Sequence, residues 1–276
     1  MTQPFGARLH AAVADRGPLC AGIDPHASLL AEWDLPDSVD GLERFALTAV
    51  EGLAPYVSVV KPQSAFYERF GSRGVAVLER VVAESRAAGA LVLLDVKRGD
   101  IGSTSQAYAD AYLDPASPLA SDAITVSPYL GFGSLDPFVD TARKFDAGLF
   151  VLGLTSNKEG PEVQRSTTDT GESVAARMFE HLRLLNADAT PLGDFGAVVG
   201  ATVGTVSDLG GGESLAFNGP ILAPGFGEQG GTVADIRRIF GSLTVLPSSS
   251  RGLLRVGPSV AGLADAARRT NAELLG

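Results

Sequence analysis

Short apolar runs recur along the whole chain, and each gives way to polar residues and then to an alanine-rich stretch with helical spacing. Runs rich in Val, Ile and Leu predict strands at Leu19–Asp24, Val57–Pro62, Leu91–Lys97, Ala123–Val126, Gly148–Leu154, Ala197–Ala201, Pro220–Pro224 and Leu243–Pro247. Amphipathic stretches between them predict helices, among them Gly74–Ala88, Ser103–Leu113, Ser173–Asn186 and Thr232–Phe240, with Ala261–Leu275 closing the chain. Ser103, Ser134 and Thr232 stand where side-chain caps are useful. Continuous apolar strands alternating with helices mean parallel pairing through crossovers. Eight such units in 276 residues predict an α/β fold, a (β/α)8 TIM barrel formed as one domain over residues 1–276.

Polar residues gather where these strands end: Asp24, Lys61, Asp95, Lys97, Ser127, Thr155, Gln229 and Arg251. Barrel enzymes build their active sites on that rim. The polar segment Thr155–Gly171 follows the fifth strand and is either a lid or a plain surface loop.

Composition narrows the chemistry. A net charge of −10 argues against a nucleic-acid binder, which would carry a basic stripe. Cys20 is the sole cysteine, so no intramolecular disulfide forms and a reducing cytoplasm is expected. Met1–His10 has no apolar signal core, and no run of about 18 apolar residues predicts a membrane span. His10, His26 and His181 are scattered without metal-ligand spacing and read as ordinary surface or packing histidines.

The chain carries four lysines against 18 arginines, and two of the four close strands. Lysine is a compact ammonium that can give up a proton, whereas arginine stays charged. Asp95 and Lys97 are two apart on one strand and share a face. Asp100 follows in the next loop, Lys61 ends the neighbouring strand, and Asp24 ends the one before. The expected result is an alternating network of Asp24, Lys61, Asp95, Lys97 and Asp100 in which each charge sustains its neighbours. Buried charge networks are poor stabilising devices, so one on a rim points to function rather than to strand tethering.

Gly225-Phe226-Gly227-Glu228-Gln229-Gly230-Gly231 matches G-x-G-x-x-G, but it follows the seventh strand and Val245 stands where a dinucleotide site needs an acid. The loop reads better as a phosphate cradle of backbone N–H groups at a helix N-terminus, with a simple tight turn as the plain alternative. Arg251 supplies a charged fork for the same phosphate.

In these motifs the chain resembles the orotidine 5′-phosphate decarboxylase family, and its longer bacterial branch above all. The carriers are AGIDPH with Asp24, VVKPQ with Lys61, LLDVKRGDIGST (93–104), APGFGEQGG (223–231) and SSSRG with Arg251; SPYLGFGSLDPF (127–138) and LTSNKEG (154–160) also fit. The resemblance implies a catalytic tetrad of Lys61, Asp95, Lys97 and Asp100. It implies that Asp100, Ile101 and Thr104 reach into the partner's site of a homodimer with shared active sites. Asp24 and Lys61 would hold ribose hydroxyls, Thr155 and Ser156 the pyrimidine edge, and Gln229, Gly230 and Arg251 the phosphate. The implied reaction is decarboxylation of orotidine 5′-monophosphate to UMP, with no metal and no organic cofactor. Lys97 would stabilise negative charge at C6 and then protonate that carbon.

Two alternatives stand beside this. Sugar-phosphate decarboxylases and aldolases of the same superfamily share D-x-K-x-x-D but use Mg²⁺ on acidic ligands, and Lys61 is the discriminator because a cation opposes a metal there. A non-catalytic nucleotide-phosphate sensor would keep Arg251 and the glycine loop but would not need the lysines.

Overall fold

The computed structural model describes residues 3–203, 215–227 and 230–276. Eight parallel strands close into a barrel in chain order: β1 Cys20–Ile23, β2 Val59–Pro62, β3 Leu91–Arg98, β4 Ala123–Val126, β5 Gly148–Leu154, β6 Phe195–Val199, β7 Ile221–Ala223 and β8 Val245–Ser249. Closure runs through Cys20 opposite Ser248 and Ala21 opposite Ser249. A closed sheet flanked by crossover helices covers both faces of every strand, which is why the strands read as unbroken apolar runs.

Two apolar layers result. Outward residues such as Val60, Leu94, Ile124 and Val151 pack under the helices. Inward residues Cys20, Val59, Leu93, Ala123, Phe150, Val198, Leu222 and Leu246 fill the barrel. The N-terminal helix Phe5–Arg16 lies across the bottom of that filling, with Phe5 edge-on to Phe150 at 6.1 Å. Arg8 bridges to buried Asp122 at 2.5 Å, and Asp122 also accepts from Arg86 Nε and the Val92 N–H. The bottom is thus plugged, and the open end of the barrel is the one where the strands finish.

Several predicted boundaries shift. The sixth and eighth strands run Phe195–Val199 and Val245–Ser249, each displaced by two residues from the sequence prediction. Of the three expected caps only Thr232 serves: its side chain accepts from the Asp235 N–H while Asp235 bonds back, a reciprocal box. The helix Gly102–Leu113 starts one residue before Ser103, with Ile101 at the cap position. Ser134 sits inside a 3₁₀ turn and donates to the Gly131 carbonyl rather than capping a helix. Among the described residues no helix is long and apolar enough to cross a membrane.

Candidate active site

A cavity of about 690 Å³ opens at the C-terminal ends of the strands, within the size range of small-molecule sites. Leu152, Val198 and Leu222 form an apolar floor; Lys61, Asp95 and Lys97 form one charged wall.

Register brings the wall together. Lys61 pairs with Gly22 of β1, so Asp24 lies one step past the paired residues on the adjoining strand. The β3–β4 register breaks between Leu94 and Arg98, and Lys97 has φ of 45°, left-handed for a non-glycine residue. Such a conformation costs about 1–3 kcal/mol and persists where surrounding contacts hold it. Thr125 supplies one: its Oγ1 accepts the Lys97 N–H at 2.9 Å and donates to Asp95 Oδ1 at 2.7 Å. Lys97 Nζ then lies 2.6 Å from Asp95 Oδ1, and Lys61 Nζ lies 3.1 Å from Asp95 Oδ2.

Both oxygens of Asp95 therefore meet an ammonium. Burial alone would raise the carboxyl's pKa, but Lys61 and Lys97 override it and hold Asp95 well below the usual carboxylate range. Burial would likewise push Lys61 down, yet Asp24 and Asp95 raise it above the ordinary lysine value. Buried Asp24 Oδ1 has no hydrogen-bond partner among the described residues. An unpaired buried carboxylate oxygen on a cavity wall is an acceptor ready for a ligand hydroxyl.

Asp100 does not join this network within one chain. It is absent from the cavity wall, and its carboxylate accepts the Ile101 N–H at 2.8 Å. Ile101 and Thr104 are exposed on the same stretch, Ile101 at 63%. Gly99 sets this path, because a Cβ there would fall 2.4 Å from the Ser127 carbonyl oxygen.

Thr155 and Ser156 line the cavity. The loop they begin folds back on itself: Gln164, on the short helix Pro161–Gln164, accepts the Thr155 N–H at 2.9 Å and donates to Thr155 Oγ1 at 2.7 Å. Gly200 lets that loop close down, since a Cβ there would press on the Ser156 backbone. The segment after the sixth strand, residues 206–218, lies largely outside the described residues.

In the glycine loop, several of the described N–H groups are already bonded. The N–H groups of Gly227, Gly230 and Gly231 donate to Gly231, Gly227 and Gly225 carbonyls within the loop, and Thr232 with Asp235 satisfies the start of the helix Val233–Phe240. These three N–H groups are thus not open to a phosphate in this structure. Gly230 is not on the cavity wall, and Gln229 lies outside the described residues. Arg251 does line the cavity.

His26, read from sequence as an ordinary histidine, lies on the cavity wall. Its ring packs on Phe66 at 4.2 Å between centroids, and Nε2 lies 3.5 Å from Arg251 Nη2. The signal that would have found it is its place two residues past strand-end Asp24, across the β1–β8 seam from Arg251. Thr125 and Gln164 were also missed. Among the described residues no three His, Cys, Asp or Glu side chains gather as a metal-ligand set.

Comparison with known proteins agrees with this arrangement. A profile of the orotidine 5′-phosphate decarboxylase / HUMPS family matches residues 17–248. The orotidine 5′-phosphate decarboxylase of a Nocardioides species is 72% identical over 98% of both chains. That of Streptomyces coelicolor is 61% identical over 99% of this chain and 97% of its own. A crystal structure from Streptomyces avermitilis, provisionally given the same name, superposes with a TM-score of 0.96 at 60% identity, covering 99% of this chain and 95% of that one. The chain belongs to the orotidine 5′-phosphate decarboxylase / HUMPS family.

Proposed function

We propose how this site decarboxylates orotidine 5′-monophosphate to UMP and CO2, the carboxy-lyase step of pyrimidine biosynthesis that its relatives carry. The observation that carries the mechanism is a single buried carboxylate, Asp95, with an ammonium on each oxygen. The substrate carboxylate sits beside Asp95. The bond from C6 to that carboxylate breaks, CO2 leaves, and the electron pair stays on C6. Lys97 opposes the new negative charge and donates its proton to C6. Its ammonium interacts more strongly with the developing carbanion than with the ground state, which is the condition for catalysis. Solvent then returns a proton to the lysine.

The reaction needs no metal and no organic cofactor in this scheme. Support comes from the donor set: both Asp95 oxygens already face ammonium groups, and a cation such as Lys61 beside that carboxylate opposes a divalent ion there. This disfavours the Mg²⁺-dependent sugar-phosphate chemistry of the same superfamily. The orphaned Asp24 oxygen suits a ribose hydroxyl, with Lys61 beside it. Thr155 and Ser156 suit the pyrimidine edge, and Arg251, on the cavity wall, suits the phosphate.

The active unit in this scheme is a homodimer with shared sites. Asp100 does not line its own cavity and accepts the Ile101 N–H, and the neighbouring loop carries Tyr129 and Leu130. These three apolar side chains are 63, 76 and 54% exposed, an apolar patch suited to a second copy. Asp100, Ile101 and Thr104 would complete the partner's cavity. The single buried cysteine fits a reducing cytoplasm.

Lys97→Ala tests the scheme. Turnover of orotidine 5′-monophosphate should vanish while UMP still binds, by calorimetry. Near-normal turnover contradicts the role given to Lys97.

A further inference from the structure

We infer that His26 is a positioning residue for Arg251, a neutral acceptor that aims the guanidinium at the substrate phosphate without neutralising it. The inference rests on the phosphate role proposed for Arg251 and gives a role to His26, the last residue of the AGIDPH motif.

The geometry constrains His26 tightly. Its N–H donates to the Asp24 carbonyl at 2.8 Å, and its own carbonyl accepts from Leu29 and Leu30. The ring is therefore delivered from a backbone pinned on both sides. Phe66 packs edge-on to the ring at 4.2 Å between centroids, with the planes inclined by 61°. The remaining polar edge meets Arg251, with Nε2 3.5 Å from Nη2. A guanidinium only donates, so Nε2 must accept and the ring proton must sit on Nδ1. Burial first, and then the charge of Arg251, lower the pKa of His26 below its ordinary value; Arg69 acts in the same sense and Asp24 against it. These facing groups together leave the ring neutral at pH 7.

Chemistry explains why a histidine suits the place. Arg251 has no carboxylate partner among the described residues, unlike Arg69, which pairs with Asp37, or Arg98, which pairs with Glu68. A carboxylate beside Arg251 would fix the fork equally well but would compete with the phosphate for its charge. A neutral imidazole orders the side chain and leaves the full positive charge for a dianion. Asp24 meanwhile lies two residues away on the same turn, so a displacement of His26 would couple the ribose and phosphate ends of the site.

The test is the affinity of UMP and of uridine for the full-length protein, by calorimetry. His26→Ala should weaken UMP about tenfold, the loss expected for one weak hydrogen bond to a charged group. The ratio of UMP to uridine affinity should fall with it. His26→Gln, which keeps a neutral acceptor, should recover most of the loss. His26→Glu should bind UMP worse than His26→Ala. In an Arg251→Ala background the His26→Ala loss should shrink, since the two residues act through one contact. Equal losses on UMP and uridine, full additivity with Arg251→Ala, or unimpaired UMP binding by His26→Glu would each overturn the inference. Unchanged UMP affinity in Arg251→Ala alone would overturn the phosphate role of Arg251 and this inference with it. Wild-type protein that binds UMP but does not turn over orotidine 5′-monophosphate would instead refute the proposed reaction and leave the His26 result readable.

Discussion

Replacing Asp95 with Asn keeps the shape of the site and removes the one charge both lysines share. Lys61 Nζ and Asp95 Oδ2 are 3.1 Å apart, and both side chains are buried. At an effective dielectric of about 20 that separation corresponds to about 5 kcal/mol of gross attraction. Desolvation offsets part of it, and removing one partner of a buried pair typically costs about 3–5 kcal/mol. Asp24 still attracts Lys61 in the variant, which favours the lower end, about 3 kcal/mol. Lys97 adds little to that figure because its side chain is 45% exposed and its pairing is screened. For a chain of this size the loss lowers Tm by about 6–12 °C. Urea unfolding followed by circular dichroism gives the free energy directly, with an unchanged slope. The pH dependence has a definite sign. Asp95 is depressed in the folded state, so its contribution is full above the unfolded value of about 3.9 and fades as pH falls through the native one. The gap between wild type and Asp95→Asn should hold steady from about pH 8 to about 5 and narrow below about 4. Equal or greater stability of the variant at neutral pH would refute mutual neutralisation and mean that the carboxylate is held under net repulsion.

Two further outcomes follow from the same geometry. Cys20 is buried in the barrel filling, and burial pushes its thiol up to about 12, so a chromogenic disulfide reagent at pH 8 should label it only after urea unfolding; fast labelling of native protein would contradict the packed interior. Mixing inactive Lys97→Ala with inactive Asp100→Asn should restore about a quarter of wild-type activity, because random pairing in a two-fold dimer gives one intact site in half the molecules; no recovery, with mixed dimers verified by mass spectrometry, would place Asp100 in its own chain's chemistry or in none.

The barrel was legible because parallel strands covered on both faces leave unbroken apolar runs. The eighth strand was misplaced for the converse reason: Ser248 and Ser249 are buried polar residues that finish a strand, and serine after proline reads as a loop. The sixth begins at Phe195 and Gly196, and that glycine hid its start. The helix Phe5–Arg16 owes its place to the barrel bottom rather than to any local motif.

In the site, Asp95 and Lys97 meet as their spacing implied, although a register break and a left-handed Lys97 deliver the contact. Alternation could not reveal that Asp100 leaves the network, because a loop has no fixed face. Nor does a run of glycines disclose which N–H groups are already bonded, and those of Gly227, Gly230 and Gly231 are. His26 was invisible for a different reason: a lone histidine acquires meaning only from what tertiary structure sets beside it, here Phe66 and Arg251.

The most direct test of a metal-free decarboxylase is the ultraviolet change of orotidine 5′-monophosphate with purified protein, before and after exhaustive EDTA treatment. Rapid turnover indifferent to EDTA is the predicted result. Turnover that disappears with EDTA and returns with Mg²⁺ would contradict the role of Lys61 and the ammonium pair on Asp95.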